Sequence, residues 1–137
     1  MLEIGILNRQ LAASLATLGH GDLLLVTDAG FATPNGINVI DLSLKENLPT
    51  VYDVLQEINK YFSVEGLFIA QETMDINPGH SSKIQSLFLL KADIISHAEL
   101  KKKATTVKCV IRTGDFTAFG NVILISGAGD RWISEVH

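Results

Sequence analysis

The apolar segment 23–27 constrains the fold of this chain more than any other feature. Its sequence, Leu-Leu-Leu-Val-Thr, has the length and residue types of a buried strand. His20 lies in the Gly-His-Gly-Asp turn before the segment, and Asp28 comes directly after it. Ligands of an α/β sheet bind beyond the carboxyl ends of its strands, so Asp28 is a candidate site residue.

The positions of His20 and Asp28 raise a geometric problem. A strand advances by about 3.3 Å per residue, so the two side chains lie too far apart to contact one small molecule within one subunit. Either the loop folds His20 back, or a second subunit supplies one of the two residues.

Segments with helical and strand periodicity alternate along the rest of the chain. Helices are predicted at about 9–18, after Pro49, after Pro78-Gly79 and from His97, and further strands at 39–42, 64–70, 92–95, 107–111 and 122–125. Asn8 is a good N-cap for the first helix, and Gly19 is expected to end it. The alternation predicts one α/β domain over residues 1–137, a sandwich in which helices flank a largely parallel central sheet.

Composition excludes several classes of protein. A length of 137 residues suits one domain, and a hydrophobic content of 47% with mean hydropathy +0.27 suggests that part of the surface is buried between subunits. The net charge is −4 and the only basic cluster, 101–103, is typical of a solvated helix end, so we expect no nucleic-acid partner. No apolar run approaches the roughly 18 residues of a membrane span, so we expect no membrane association.

Cysteine usage and the N-terminus indicate the compartment. Cys109 is the only cysteine, which rules out an intrachain disulfide. No signal-peptide pattern is present at the N-terminus, so we expect a cytoplasmic protein.

Histidines and carboxylates remain as the chemically active groups. Zinc-ligand spacing, a glycine-rich nucleotide loop and a Gly-x-Ser-x-Gly elbow are all missing from the sequence, which leaves acid–base chemistry without a metal or a cofactor. His20 and His97 each lie where a strand meets a helix, in the kind of loop that carries function. His80 and His137 are expected to be solvated.

Each candidate also has a purely structural interpretation. His20 could bond to backbone, and His97 could be a helix-terminus residue after the capping box that Ser96 and Glu99 predict. Asp28 could form an Asx turn.

The remaining charged candidates also allow two interpretations. Arg112 could bind an anion or form a structural ion pair. Glu72 and Asp75 could form a site, although a solvated loop is the simpler interpretation.

Short motifs in a fixed order resemble one known family. They are Gly5-Ile6-Leu7-Asn8, Leu18-Gly19-His20, Asp28-Ala29-Gly30, Ile40-Asp41-Leu42-Ser43-Leu44, Leu48-Pro49, Ser96-His97 and Val110-Ile111-Arg112-Thr113-Gly114-Asp115-Phe116-Thr117. Together they resemble the D-ribose pyranase / L-fucose mutarotase family, and its ribose pyranase branch most closely. The resemblance implies a cytoplasmic isomerase that interconverts the pyranose and furanose forms of a pentose. It also implies a ring-like homo-oligomer, an octamer or decamer, with sites between subunits.

The resemblance assigns roles by position. His20 matches the family's proton-donating histidine, and Asp28 and His97 match sugar-binding positions. The family's Tyr-Ala-Asn segment falls on Phe119-Gly120-Asn121, which implies a sugar-binding role for these three residues, with a ring face in place of the tyrosine hydroxyl.

Two further departures separate the chain from the family pattern. Ala118 replaces a usual proline, which predicts a looser loop. The segment 127–137 is a divergent C-terminal tail, in which Trp132 is expected either to pack on a neighbour or to cover the site. Two alternatives stay open: a mutarotase acting on another sugar such as fucose, and a non-catalytic sugar-binding or assembly protein tied to a transporter.

Overall fold

The computed structural model describes residues 1–136 as alternating helices and strands. The helices are α1 (Arg9–Ala16), α2 (Val51–Tyr61), α3 (Gln71–Ile76), α4 (Pro78–Phe88) and α5 (His97–Lys103), and a 3-10 turn follows at Ala104–Thr106. The strands are β1 (Leu23–Thr27), β2 (Asn38–Asp41), β3 (Val64–Ala70), β4 (Asp93–Ile95), β5 (Cys109–Arg112) and β6 (Val122–Ser126). The prediction of His137 as a solvated residue falls outside the described residues.

The strands form one six-stranded mixed sheet in the order β2-β5-β1-β6-β3-β4. The pairs β1–β5, β2–β5 and β3–β4 are parallel, whereas β6 runs antiparallel to both β1 and β3. The antiparallel strand has a simple cause, since the segment 113–121 contains no helix that would carry the chain back to the opposite edge. The predicted largely parallel α/β sheet is therefore confirmed.

Alternate side chains of the strands build two apolar cores, one on each face of the sheet. Leu24 and Val26 face the core that α1, α2 and α4 cover, whereas Leu25 faces the core under α5. This alternation follows from the two-residue period of a strand. Helices on both faces bury β1 from Leu24 to Thr27, as its continuous apolar run predicts.

Local capping signals give a mixed result. The side chain of Asn8 caps α1 by accepting a hydrogen bond from the backbone N–H of Leu11, as predicted. The predicted end of this helix is wrong, because α1 ends at Ala16 with Thr17 as its C-cap. Gly19 instead donates its N–H to Oδ2 of Asp22 at 2.7 Å, which closes a turn before β1. This turn competes with a further helical turn and ends the helix early.

Two other helix starts differ from the predictions. Ser96 caps α5 by accepting from the N–H of Glu99, but the reciprocal bond of a capping box is missing among the described contacts. The complete capping box lies at α2, where Thr50 and Asp53 bond to each other's backbone N–H groups. Pro49 therefore precedes the helix instead of occupying its first turn.

The topology brings several chain segments to one edge of the sheet. Strands β1 to β5 all point the same way, so the residues after them meet at the carboxyl edge, and β6 begins there because it is antiparallel. Asp28, His97 and Asn121 reach this edge from three different connections. This is the place where an α/β sheet binds its ligands.

Candidate active site

A cleft of about 710 Å³ opens at the carboxyl edge of the sheet. Its volume lies within the range of small-molecule sites, about 300–1,000 Å³. Its lining combines two carboxylates, an imidazole, an ammonium group, a guanidinium group, an amide and three aromatic rings: Asp28, Asp115, His97, Lys101, Arg112, Asn121, Phe31, Phe116 and Phe119. Polar groups beside ring faces suit a ligand that carries many hydroxyls on a compact carbon skeleton.

Asp28 and Asn121 form the floor of the cleft and are bonded to each other. The backbone N–H of Asp28 donates to Oδ1 of Asn121 at 2.8 Å, and Asn121 is only 3% exposed. Since Oδ1 is occupied, the Nδ2 group is the part of Asn121 that can donate to a ligand. Asp28 also accepts a hydrogen bond from the N–H of Gly30 at 3.0 Å through Oδ1, so the Asx turn is present as well. The other carboxylate oxygen of Asp28 is left to accept hydrogen bonds from a ligand in the cleft.

His97 lies at the first position of α5, with its ring between two aromatic side chains. The ring meets Phe119 edge-on at a centroid distance of 5.0 Å and Phe31 at 6.1 Å. Its Nδ1 is buried and has no hydrogen-bond partner among residues 1–136. An unpaired buried ring nitrogen costs free energy in the folded chain.

Glu72 holds the backbone of His97 in place. Both carboxylate oxygens of Glu72 accept from the N–H of His97 at 3.1 Å, so a residue of α3 caps the start of α5. The predicted solvated loop at Glu72 and Asp75 is wrong, because both residues lie in α3. The contact of Glu72 is structural, and it acts on a residue that lines the cleft.

Side chains from outside the loop 117–121 hold it, and the looser loop expected from Ala118 stays a prediction. Side chains of α3 and of the α3–α4 corner bond to its carbonyl groups, through Thr73 to Phe119 and Asn77 to Ala118. His80 also contributes, because its Nε2 lies 3.0 Å from the carbonyl oxygen of Gly120. The predicted solvated loop position of His80 is therefore wrong, since the residue lies in α4 and is half-buried.

Arg112 lines the cleft, and its contacts are structural. Its guanidinium donates to the carbonyl of Ala29, to Oδ2 of Asp41 at 2.9 Å and to Oγ of Ser43 at 2.7 Å. These contacts support the ion-pair interpretation of Arg112. The hydroxyl of Ser43, its backbone N–H and Arg112 together hold the pKa of Asp41 below its ordinary value. The network fixes the loop Ala29–Gly30 that borders the cleft.

His20 lies at the opposite edge of the sheet and outside the cleft lining. Its imidazole is 70% exposed, and its Nε2 lies 3.1 Å from Oε2 of Glu65 on β3. The N–H of the neighbouring Gly21 donates to the carbonyl of Ser126, which ties this turn to the far end of β6. The loop therefore does not fold His20 back toward Asp28 within one chain.

The structure brings most of the predicted site residues together at the cleft. Asp28, His97, Phe119 and Asn121 line it together, and the buried Gly120 lies between the last two. Lys101 was missed as a cleft residue because three consecutive lysines suggested a solvated helix end. It lies four positions after His97 on α5, and that helical spacing was the available signal.

Residues 1–136 hold no group of three or more histidine, cysteine or acidic side chains that could bind a metal ion. No helix within that range combines the length and apolarity of a bilayer span.

Comparison with known proteins identifies relatives along nearly the whole chain. The model of the RbsD / FucU transport protein family matches residues 1–129. A D-ribose pyranase of Kosmotoga olearia is 40% identical over 129 residues, which are 93% of this chain and 98% of that protein. A D-ribose pyranase of Bacillus velezensis is also 40% identical, over 128 residues, with the same coverage of both chains.

Solved structures show the same similarity in three dimensions. The structure of Bacillus subtilis RbsD complexed with D-ribose has a TM-score of 0.89 and 38% identity, covering 94% of this chain and 99% of that one. The fucose mutarotase of Streptococcus pneumoniae in complex with L-fucose has a TM-score of 0.76, covering 89% of this chain and 94% of that one. At 15% identity the second match shows a shared fold only.

Proposed function

This chain belongs to the RbsD / FucU transport protein family, and from that membership we propose that it interconverts the pyranose and furanose forms of D-ribose. It is an intramolecular isomerase of the D-ribose pyranase type. One observation carries the proposal: in a chain that aligns with D-ribose pyranases along nearly their whole length, Asp28, His97 and Asn121 meet in one cleft. The reaction replaces one C–O bond of the sugar by another and needs from the protein a proton donor and a proton acceptor, roles that histidine and carboxylate groups can fill.

The chemistry consists of one ring opening and one ring closure. In ribopyranose the C1–O5 bond breaks while an acid gives a proton to O5 and a base takes the proton of the C1 hydroxyl, which yields the open-chain aldehyde. The 4-hydroxyl then attacks C1 and loses its proton while the carbonyl oxygen gains one, which yields the furanose. No atom is gained or lost. Acid–base groups typically accelerate such steps by about 10²–10⁴-fold.

We assign the role of proton donor to His20 of a neighbouring subunit. Within one chain His20 lies at the edge of the sheet opposite the cleft, so a shared site requires a second copy to bring it to Asp28. Glu65 is the carboxylate beside His20, and its contact with Nε2 orients the imidazole at the subunit surface. Imidazole is suited to give and take protons near neutral pH.

The cleft residues bind and orient the sugar. Asp28 accepts hydrogen bonds from sugar hydroxyls through its remaining carboxylate oxygen, while Asn121 donates through Nδ2. His97 bonds a hydroxyl through its imidazole, and Phe119 covers one face of the sugar ring. Gly120 lets the loop approach closely enough to place both of its neighbours.

The shared site requires a homo-oligomer, which we propose to be a ring-like octamer or decamer in the cytoplasm. Large apolar side chains lie exposed near the cleft and on the C-terminal segment, as expected of a chain that buries surface against other copies: Leu44, Leu48, Phe116, Trp132 and Ile133. Phe116 is 64% exposed while it lines the cleft, which places this apolar surface at the mouth of the site.

A second candidate, a sugar-binding protein without turnover, is favoured by one residue. Phe119 supplies a ring but no hydroxyl at a position that faces His97. A chain of this kind would bind ribose and leave the rate of ring interconversion unchanged.

Saturation transfer in NMR between the pyranose and furanose signals of ribose tests the proposal. Wild type should increase the exchange rate in proportion to protein concentration, and His20→Ala should abolish the increase. Fucose and other aldoses in the same assay define the substrate. Binding without faster exchange would favour the second candidate, and in that case Phe119→Tyr should create turnover.

A further inference from the structure

Three consecutive carbonyl groups of the cleft loop are held by side chains from outside the cleft. Nδ2 of Asn77 donates to the carbonyl of Ala118 at 2.8 Å, the hydroxyl of Thr73 donates to that of Phe119, and Nε2 of His80 lies 3.0 Å from that of Gly120. A carbonyl oxygen only accepts, so His80 carries its proton on Nε2 in this contact. The α3–α4 pair therefore anchors the loop peptide by peptide.

The loop needs such an anchor because its backbone is unusual. Phe119 has a φ of 54°, in the left-handed region that residues other than glycine adopt at a cost. Gly120 is packed so tightly that a Cβ atom would lie 2.9 Å from the carbonyl oxygen of Thr117 and 3.4 Å from Nε2 of His80. A conformation of this kind persists only where its surroundings hold it.

His80 acts at the point where the loop meets the floor of the cleft. The carbonyl of Gly120 belongs to the planar peptide that leads into Asn121, so holding this oxygen fixes the plane from which Asn121 departs. The side chain of Asn121 in turn accepts from the N–H of Asp28. Two hydrogen bonds thus connect α4 to the backbone N–H of Asp28, the residue whose carboxylate we assign to sugar binding.

We propose that His80 is a positioning residue that orients Asn121, and through it Asp28, for ribose. The inference rests on the proposed function for the identity of the ligand, but the coupling between His80 and Asp28 is a property of the chain itself. His80 contacts neither the sugar nor the reacting atoms, so its removal weakens substrate binding more than it slows the proton transfers.

A set of three variants tests this role in the full chain. His80→Ala removes the donor, His80→Gln returns an N–H donor at a similar reach, and Ser82→Ala is the control at an exposed position of the same helix. We expect His80→Ala to raise KM for ribose about tenfold with a smaller change in kcat, as is typical when an outer partner of a binding residue is lost. His80→Gln should restore KM to within about twofold of wild type, and Ser82→Ala should match wild type.

The amide ¹H–¹⁵N signal of Asp28 supplies a readout that does not depend on turnover. It should shift in His80→Ala, return toward its wild-type position in His80→Gln and stay unchanged in Ser82→Ala. A His80→Ala protein with wild-type KM and an unmoved Asp28 signal would overturn the proposal. A loss of binding that His80→Gln leaves uncorrected would overturn it too, since general destabilisation of α4 would then be the cause.

The two proposals fail in different ways. If wild type itself leaves the ring-exchange rate unchanged, the proposed function is wrong, while the Asp28 signal still decides the role of His80. If wild type is active and the amide signal of Asp28 does not shift in His80→Ala, only the positioning role of His80 is wrong.

Discussion

The backbone N–H of Asp28 donates a hydrogen bond to Oδ1 of Asn121 at 2.8 Å, although the two residues lie 93 positions apart. This bond joins the end of β1 to the start of β6, two neighbouring antiparallel strands. It places a carboxylate and an amide side by side in the cleft and gives both an orientation before any ligand binds. Such preorganisation lowers the entropy cost of binding.

Asn121→Ala tests this bond directly. The variant leaves the N–H of Asp28 without its partner, and the loss of a buried hydrogen-bond partner costs about 1–3 kcal/mol. We expect urea unfolding to show that the free energy of unfolding decreases by about 2 kcal/mol. Calorimetry should show a ribose affinity at least about tenfold lower than that of wild type. The matched control is Asn59→Ala on the exposed face of α2. The free energy of unfolding of this variant should stay within about 0.5 kcal/mol of the wild-type value. Wild-type ribose affinity in Asn121→Ala would contradict the assigned role.

Mixing two inactive variants tests the shared site. His20→Ala and Asp28→Ala should each be inactive alone, because each removes one half of every site. Co-refolded mixed oligomers should recover about a quarter of the wild-type exchange rate, since random assembly pairs an intact His20 with an intact Asp28 at that frequency. An equal mixture that stays inactive, while wild type refolded in the same way is active, would show that one chain supplies both residues.

Acid should weaken the contribution of Asp41 to the stability of the folded chain. Hydrogen bonds from Ser43 and then Arg112 hold the pKa of Asp41 below its ordinary value in the folded chain. Stability from its ionised form is therefore present above the unfolded-state pKa, about 3.9, and is lost as the pH falls through the lower folded-state pKa. Asp41→Asn should lower the unfolding free energy at pH 7 by less than about 1 kcal/mol, because the side chain is half exposed.

The pH dependence is the decisive part of that measurement. Urea unfolding of wild type and Asp41→Asn at pH 7 and at about pH 3 should give a smaller difference at the lower pH. Asp93→Asn, at an exposed position of β4, is the control and should show no comparable difference at neutral pH. A difference for Asp41→Asn that grows in acid would contradict the predicted sign.

Cys109 should be unreactive in the folded protein. Burial inside β5 raises the pKa of its thiol to about 11, and the residue is 2% exposed. Because the thiolate is the nucleophile, alkylation by iodoacetamide at pH 8 should be at least about 100-fold slower in the native chain than in urea. Glutathione under the same two conditions controls for the effect of urea on the reagent. Rapid labelling of the native chain would show that β5 opens locally.

Short-range patterns predicted the elements and several of their ends. The apolar run of β1, the helical spacing in α2 and the N-cap at Asn8 all depend on neighbours within a few residues, and all three are confirmed. The predicted end of α1 at Gly19 failed because Gly19 closes a turn with Asp22 in the structure. A competing side-chain bond of this kind leaves the periodicity unchanged, so the pattern alone gives no warning of it.

The errors at the site have a common origin in contacts between distant residues. His80 stands in a polar sequence and was predicted to be solvated, yet its partner is the carbonyl of Gly120, 40 positions away. Glu72 likewise bonds to the N–H of His97, 25 positions away. No local rule connects these pairs, because they meet only after the α3–α4 pair packs against the loop before β6.

By itself, the sequence determined that strands and helices alternate, that β1 is buried and that Asp28 follows its carboxyl end, since each depends on residue types within one short segment. Only the tertiary structure decided that His97 and Asn121 join Asp28 while His20 lies at the opposite edge. The reason is the strand order β2-β5-β1-β6-β3-β4, with β6 reversed. That order arises from packing two apolar faces of a sheet at once, and it decides which distant residues become neighbours.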